Sequence, residues 1–141
     1  MKYYAKITKQ KDRSYLVEFP ELEGCITEGR TLAEAKEFAS EALHGWLASN
    51  CDRDLNIPGP KARRAKYYYP IGVEVNIAFA ILLRRTRQQR GLSQKQVANR
   101  LGISQQAYSK LEAPLKANPS LSTLQKISDA LDVELILDLA A

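Results

Sequence analysis

The sequence is poor in the residues that form metal sites, disulfides and most active sites. It has two cysteines, Cys25 and Cys51, one histidine and one tryptophan in 141 residues. The cysteines are isolated and form no CxxC pair, so neither a zinc knuckle nor a disulfide framework is predicted. No apolar stretch reaches the ~18 residues that cross a bilayer, and the N-terminus lacks an apolar signal core. We therefore expect a soluble cytoplasmic protein with no metal, no cofactor and no membrane partner.

Charge is distributed unevenly along the chain. Residues 1–60 hold 8 Lys and Arg against 10 Asp and Glu, a net charge of −2, whereas residues 61–141 hold 13 against 6, a net of +7. Residues 61–110 alone carry 11 basic residues and a single acid, Glu74. Since 45% of the residues are hydrophobic, the chain can bury a core. The change of sign predicts two small domains, of which the second binds an anionic partner.

The first domain is predicted at residues 1–69 and combines a sheet with a helix. Apolar and polar residues alternate over 3–8 and 15–19, and a third short strand follows at 25–28. From Thr31 the apolar period changes to about 3.6, which predicts an amphipathic helix, and Thr31 with Glu34 has the spacing of a capping box. A polar loop follows over 51–64 and a fourth strand over 65–69, and residues 70–74 are predicted as a hinge.

The second domain, 75–141, is predicted to be helical. A first helix over 75–89 ends at Gly91, Ser93 and Gln96 form a second capping box, and Ser122 with Gln125 caps the last helix. Residues 133–139 then alternate, which predicts a terminal strand with one apolar face. Two interpretations of that face stay equal, a dimer contact and a cover for the domain's own core. Its side chains are Val133, Leu135, Leu137 and Leu139.

The clearest local pattern lies in residues 92–112. Two short helices joined by a tight turn at Gly102 follow the helix-turn-helix plan. The outward face of the second helix, which would enter a major groove, carries Gln105, Gln106, Ser109 and Lys110. Glutamine pairs with adenine through two hydrogen bonds, and lysine reaches guanine or a phosphate. The remaining predicted DNA contacts are Gln94 at a helix N-terminus, the polar Ser104, and the basic residues Arg84, Arg87, Lys95 and Arg100.

This stretch resembles the XRE-type, phage-repressor-like helix-turn-helix family. The resemblance rests on the Arg-Gly-Leu-Ser-Gln run at 90–94, on the Leu-Gly-Ile-Ser run at 101–104 and on Tyr108, and it covers roughly residues 77–131. It implies that Gln94 binds a DNA phosphate and that Gln105, Gln106 and Ser109 or Lys110 contact bases. A homodimer or tetramer on a two-fold symmetric operator is the expected assembly.

The N-terminal part resembles the HicB antitoxin domain, an abbreviated ribonuclease H-like fold. The resemblance is carried by the run from Tyr15 to Gly29, which includes Phe-Pro-Glu-Leu and Gly-Cys, and by Thr31 to Ala35. It implies an antitoxin that represses its own operon and whose partner is HicA, a small toxin that cleaves mRNA with a catalytic histidine. The basic RNA-binding face of that toxin would meet the acidic half of this chain. The candidate toxin contacts are Glu18, Glu21, Glu23 and Glu28.

Two other functions compete with the antitoxin. The chain could be a one-component repressor whose N-terminal domain senses a small metabolite. It could also retain a metal-dependent nuclease activity, but the acids near Asp12 and Glu18 show no pair spaced to share a metal. His44 is interpreted as a packed helix residue. We therefore expect that the protein is not an enzyme.

Overall fold

The computed structural model describes residues 1–139, and its contacts divide the chain into two compact units, Met1–Ala78 and the residues from Phe79 onward. The described part has a four-stranded antiparallel sheet and five α-helices, so the α+β class is confirmed. The ribonuclease H-like relationship of the N-terminal unit stays a prediction. In chain order the elements are β1 (Lys2–Lys9), β2 (Tyr15–Glu18), β3 (Ile26–Gly29), α1 (Leu32–Asp52), β4 (Tyr68–Gly72), α2 (Val75–Gln89), α3 (Gln94–Leu101), α4 (Gln105–Leu111) and α5 (Leu121–Leu131).

The sheet of the N-terminal unit has the strand order β3-β2-β1-β4. Tyr3, Ala5 and Ile7 of β1 are buried, and Val17 of β2 lies opposite Ile7. Because side chains alternate along a strand, these residues share one face, and α1 packs against the sheet with its own apolar stripe. The unit's core therefore lies between one face of the sheet and α1.

The start of α1 is fixed by two local contacts. The Thr31 hydroxyl accepts a hydrogen bond from the Glu34 N–H at 3.1 Å, as the capping box predicts. In a capping box the Glu34 carboxylate would accept from the N–H of Thr31 itself. It accepts instead from the N–H of the preceding residue, Arg30, at 3.0 Å. Gly29 lies directly beneath this turn, since a Cβ placed on it would come within 2.5 Å of the Ala35 nitrogen.

The hinge predicted at residues 70–74 is largely part of the sheet. Tyr3 lies opposite Ile71 and Tyr4 opposite Pro70 in the β1–β4 ladder, which continues to Gly72. The proline is tolerated because β4 is an edge strand and needs no second ladder of hydrogen bonds on its outer side. The division between the compact units falls within α2, and the second unit begins at Phe79, four residues after the predicted domain start.

The second unit is a set of short helices with well-defined ends. Ser93 and Gln96 form both halves of a capping box at α3, and Gly102 ends that helix in the left-handed conformation with φ 68°. The cap of α5 is Ser120, which accepts from the Thr123 N–H at 3.1 Å, so the prediction of Ser122 as the cap was wrong by two residues. Ser122, inside the helix, is by residue type an equally good cap, and only the backbone conformation distinguishes it from Ser120.

The strand predicted over residues 133–139 does not form in the described chain. Val133 is tied back to α5, because its N–H donates to the Ser128 carbonyl at 3.1 Å and its carbonyl accepts from the Ser128 hydroxyl at 2.5 Å. The described residues of this unit contain no strand for the segment to pair with, and a strand needs a hydrogen-bonded neighbour. The alternating pattern therefore belongs to a segment without regular secondary structure, most of whose apolar side chains are exposed.

Candidate nucleic-acid interface

A shared apolar cluster positions the helices of the second unit. Val97 and Ala98 of α3 meet Tyr108 of α4, and α2 and α5 contribute Leu83 and Ile127. Val97 and Tyr108 are fully buried. The left-handed Gly102 lets the chain turn sharply between α3 and α4, so both helices bury their apolar sides in the same cluster. The opposite, polar side of α4 is left facing outward.

The outward side of α4 forms the candidate recognition surface. Gln105, Gln106, Ser109 and Lys110 are all exposed, as the sequence predicts for a helix that enters a major groove. A shallow depression of about 380 Å³ lies against this helix. Its lining residues are Gln94, Ser104, Gln105, Gln106 and Ser109. The structure thus brings together five of the predicted DNA contacts, taken from the start of α3, the turn and α4.

Beneath this surface lies a buried carboxylate that the sequence did not single out. The Glu112 side chain is only 3% exposed and follows α4 as its C-cap. Arg87 donates to both of its oxygens, from Nε to Oε1 at 2.6 Å and from Nη2 to Oε2 at 3.1 Å. The Tyr108 hydroxyl donates to Oε1 at 2.7 Å. A buried charge needs this kind of paired, hydrogen-bonded surrounding to be tolerated.

The same carboxylate also holds a residue of the recognition surface. The Gln94 amide nitrogen donates to Glu112 Oε2 at 3.0 Å. Arg87 in addition donates from Nη1 to the Leu92 carbonyl at 2.8 Å, just before α3 begins. Burial, with the hydrogen bond to Glu112 as the next cause, raises the pKa of Tyr108 and keeps its hydroxyl protonated as a donor. The spacing of Tyr108 and Glu112, four residues apart along one helix face, is the sequence signal that could have identified this pair.

Two of the arginines predicted to bind phosphate are largely buried in the structure. The side chain of Arg87 is 12% exposed and is committed to Glu112, and Arg84 is buried with 9% of its surface exposed. A buried guanidinium reaches a DNA phosphate only if the unit repacks, so neither residue belongs to the exposed surface. The sequence showed a run of arginines on one helix, but only packing separates those that turn inward.

Two further arginines brace the end of α5. Arg90 donates to the Asp132 carbonyl at 2.7 Å, and Arg100 donates to the Ala130 carbonyl at 2.8 Å. Carbonyls at a helix C-terminus lack intrahelical partners, so cations are favourable there. Arg100 remains exposed, and its other N–H groups are left over for a further acceptor. Lys95, at the start of α3, is exposed as well. These two, with Lys110, are the predicted cations that stay on the surface.

The compact units also divide the basic stretch that the sequence showed as continuous. Residues 1–78 hold 12 Lys and Arg against 11 Asp and Glu, a net charge of +1, and residues 79–141 hold 9 against 5, a net of +4. The basic residues 61–66 therefore belong to the N-terminal unit. The helix-turn-helix unit has a smaller excess of charge than the sequence count suggested.

The predicted toxin contacts lie in or near the β2–β3 hairpin, and they differ in exposure. Glu23 and Glu28 are exposed and Glu18 is half-buried. Val17 is buried on the face of the sheet that α1 covers. Glu18 is its neighbour along β2 and Glu28 is paired with its other neighbour, so both glutamates lie on the opposite face, away from α1. Glu21 has a side chain only 5% exposed and accepts hydrogen bonds from Arg63, so it offers little surface to a partner.

The four residues of the predicted dimer contact also differ. Val133 is half-buried and packs against the apolar cluster of its own unit. Leu135, Leu137 and Leu139 are 38%, 67% and 97% exposed, and Ile136, which the strand prediction placed on the opposite face, is 75% exposed.

Isolated titratable residues of the N-terminal unit have local structural contacts. Asp12 accepts from the hydroxyl and the N–H of Ser14 at 2.6 and 3.0 Å, and these bonds lower its pKa. His44 accepts at Nε2 from the Glu74 N–H at 3.1 Å. Burial raises the pKa of the Cys25 thiol to about 11. Among residues 1–139, no group of three or more His, Cys, Asp and Glu is placed to hold a metal ion. No described helix is long and apolar enough to span a bilayer.

Two short helices that share an apolar core and turn a glutamine-bearing face outward define a helix-turn-helix DNA-binding protein. Residues 83–137 match the helix-turn-helix family model. Residues 3–87 match the model described as the HicB-like antitoxin of bacterial toxin–antitoxin systems. Because this second match covers more than half of the chain, the chain belongs to the HicB-like antitoxin family.

Individual relatives agree with both family assignments. The chain is 25% identical over 139 residues to Antitoxin HicB 1 of Photorhabdus laumondii, covering 99% of this chain and 87% of the relative. It is 28% identical over 111 residues to Antitoxin HicB of Escherichia coli K12, covering 79% and 80%. A prophage-derived HTH-type transcriptional regulator of Bacillus subtilis is 44% identical over 55 residues, covering 39% and 50%. The resemblance to HicB antitoxins with a helix-turn-helix domain is therefore confirmed.

Proposed function

We propose that this antitoxin neutralises a HicA-like, mRNA-cleaving toxin through its N-terminal unit and represses its own operon through the helix-turn-helix unit. The observation that carries the DNA-binding half is the exposed polar face of α4 above a shallow depression. Gln105 and Gln106 supply a donor and an acceptor that complement the N7 acceptor and the N6 donor of adenine in a major groove, and Lys110 reaches guanine or phosphate.

The phosphate contacts come from the edge of this surface. Gln94 starts α3, whose first N–H groups point out of the helix, and Lys95 and Arg100 are exposed on the same helix. Gln94 has two amide hydrogens, so it can donate one to Glu112 and the other to a phosphate. Ser104, at the cap of α4, and Ser109 complete the proposed DNA contacts.

The DNA-binding half is tested with Gln105→Ala/Gln106→Ala. Each lost bidentate pair costs about 1–3 kcal/mol of base discrimination, so operator affinity falls toward that for unrelated duplex while toxin neutralisation stays intact. Gln88→Ala/Gln89→Ala is the matched control, because both glutamines are exposed on α2. Equal loss in the control, or unchanged discrimination in the test variant, contradicts the proposal. The measurement is fluorescence anisotropy with operator and scrambled duplexes.

For the toxin-binding half we propose Glu18, Glu23 and Glu28 as contacts, because an exposed acidic hairpin complements the basic face of an RNA-binding protein. Co-expression with the neighbouring reading frame tests this. Glu23→Lys/Glu28→Lys is expected to abolish rescue of growth, whereas Glu37→Lys/Glu41→Lys on α1 preserves it. The reverse result would move the interface to the helix. Failure to co-purify any toxin, combined with operator binding that depends on a small ligand, would favour the metabolite-sensing alternative.

The assembly proposed for two-fold operator recognition is a homodimer or a tetramer. Leu135, Leu137 and Leu139 support self-association through the C-terminal segment, because a cluster of exposed apolar side chains is suited to burial against a second copy. Leu135→Asp/Leu137→Asp should shift the mass measured by light scattering to that of the monomer. An unchanged mass would assign assembly to another surface.

A further inference from the structure

We propose that residues 61–66, here called the basic loop, form a second phosphate-binding site for duplex DNA. The inference rests on the proposed operator binding, because it concerns the same duplex. Neither the antitoxin role nor the helix-turn-helix accounts for this loop, which belongs to the N-terminal unit.

The loop presents a concentrated and exposed positive charge. Four of its six residues are cations, and no acid occurs between Asp54 and Glu74. Lys61, Arg64 and Lys66 are exposed, and their side chains make no ion pair or hydrogen bond within residues 1–139. Unpaired surface cations of this density in one short segment create a local field that attracts an anionic partner.

The fourth cation fixes the loop in place. Arg63 donates from Nη2 and Nε to Glu21 Oε1 at 2.5 and 3.1 Å, and its guanidinium lies 5.1 Å from the centre of the Tyr68 ring. The Glu21 side chain is 5% exposed and the Arg63 side chain 30%, so the carboxylate of this ion pair is shielded from water while the guanidinium is partly exposed. Arg63 and Glu21 cancel each other's charge, which leaves a net +3 from the exposed members of the loop.

The two ends of the loop are anchored as well. The Tyr3 hydroxyl donates to the Pro58 carbonyl at 2.7 Å, and the Ile7 N–H donates to the Tyr67 carbonyl at 2.9 Å, which ties both flanks to β1. The Tyr68 N–H donates to the Ala65 carbonyl at 3.1 Å. Because the backbone is held at these points, binding orders only the side chains, and the entropy lost on binding is smaller than for a free basic tail.

The chemistry fits the phosphate backbone rather than base edges or a basic protein. Duplex DNA carries one negative charge per ~1.7 Å of helix axis, so it offers phosphates along its whole length. Lysine, arginine and tyrosine are usual donors to phosphates, and the adjacent Tyr67 is 54% exposed. The loop has no Asn or Gln to recognise a base. A toxin with a basic RNA-binding face would be repelled by it.

The test variant is Lys61→Gln/Arg64→Gln/Lys66→Gln in the full chain, measured on operator and scrambled duplexes over a series of salt concentrations. Affinity for both duplexes should fall by on the order of tenfold per lost contact at 0.1 M salt, and the slope of log K against log salt should become shallower by ~0.9 per contact. The matched control is Lys9→Gln/Lys11→Gln/Arg30→Gln. Like the test variant, it removes two lysines and one arginine, but from other exposed positions of the same unit. It should keep the wild-type slope, as should Lys61→Arg/Arg64→Lys/Lys66→Arg, which retains the charge.

Several results would overturn the inference. These are an unchanged slope in the test variant, an equal change in the control, loss of toxin neutralisation, or weakened binding of single-stranded RNA with duplex binding intact. Failure of the operator proposal is distinguishable, because the wild-type chain would then bind neither duplex at any salt concentration. Far-UV circular dichroism of each variant checks that these exposed substitutions leave the fold unchanged.

Discussion

Replacing Glu112 by glutamine tests whether the buried carboxylate supports the helix-turn-helix unit. The substitution keeps the volume, removes the charge and puts an amide donor where two oxygens accept from Arg87, Tyr108 and Gln94. Arg87, with a side chain 12% exposed, is then a buried cation without its counter-ion. Breaking a buried pair in this way costs about 3–5 kcal/mol.

That loss is large for a unit of this size. The residues from Phe79 onward number 63. At roughly 0.05–0.15 kcal/mol per residue, their free energy of unfolding is about 3–9 kcal/mol. We therefore expect Glu112→Gln to leave the helix-turn-helix unit partly or wholly unfolded at room temperature while the N-terminal unit stays folded.

The chain allows the two units to be followed separately. Its single tryptophan, Trp46, lies on α1 and donates from Nε1 to the Glu23 carbonyl at 3.0 Å, so tryptophan fluorescence reports on the N-terminal unit. Far-UV circular dichroism reports on the helices of both. In urea titrations, Glu112→Gln should move the helix-turn-helix part of the dichroism transition to lower urea, or reduce the helical signal already present without urea, and leave the fluorescence midpoint in place.

An apolar replacement of the network is the control. Arg87→Met/Glu112→Met/Tyr108→Phe removes the charges and the hydroxyl together, and Gln94 is half-exposed and can turn to water. Because apolar side chains of similar volume often replace a buried ion pair without loss, this variant should stay within about 2 kcal/mol of the wild type. The reasoning is refuted if Glu112→Gln costs less than about 1 kcal/mol, or if the apolar variant is as unstable as Glu112→Gln.

Three further stability predictions can be measured by the same titrations. Gly29→Ala should destabilise the N-terminal unit by about 1–3 kcal/mol because its Cβ meets backbone, while Gly45→Ala, in open space within α1, should stabilise it by about 0.5–1 kcal/mol; equal effects would refute this. Ser120→Ala should cost about 1 kcal/mol as a lost cap and Ser122→Ala only a few tenths, and the opposite order would restore the sequence-based cap. The raised pKa of Cys25, about 11 against an ordinary 9.0, favours the folded state below pH 9. That contribution is lost by about 1.4 kcal/mol per pH unit as the pH rises from 9 to 11. The free energy of unfolding of Cys25→Ala should therefore decline less steeply with pH over this range than that of the wild type, and parallel curves of free energy against pH would contradict the prediction.

Local patterns in the sequence predicted most of the fold, because they depend on neighbouring residues. The first three strands, the helix after Thr31 and the ends at Ser93 and Gly102 follow from periodicity and capping chemistry, and the structure places them as expected. The terminal strand was wrong for a physical reason. Alternation shows that a segment is able to pair, but only a partner strand makes it do so.

The candidate site shows the same limit. The exposed residues of α4 were predictable because a short amphipathic helix has only one outward face. Which arginines are exposed was not predictable, since Arg84 and Arg87 lie in the same run as the exposed Arg90 yet turn toward the protein interior. Which cation is buried depends on acids brought close by folding, and Glu112 is 25 residues away from Arg87 in the sequence.

The hydrogen bond between Gln94 and Glu112 also bears on how such a protein could change its operator. Gln105, Gln106 and Lys110 are exposed residues whose side chains make no hydrogen bond or ion pair within the described chain, so mutations there should have little effect on folding. Under the base contacts proposed above, such mutations would alter base preference. Gln94 shares its acceptor with the buried Arg87, so its replacement disturbs the network that supports the unit. Over evolutionary time, we expect operator specificity to diverge through α4 while the contact at the start of α3 changes slowly, which would let duplicated copies of the gene acquire separate operators without losing stability.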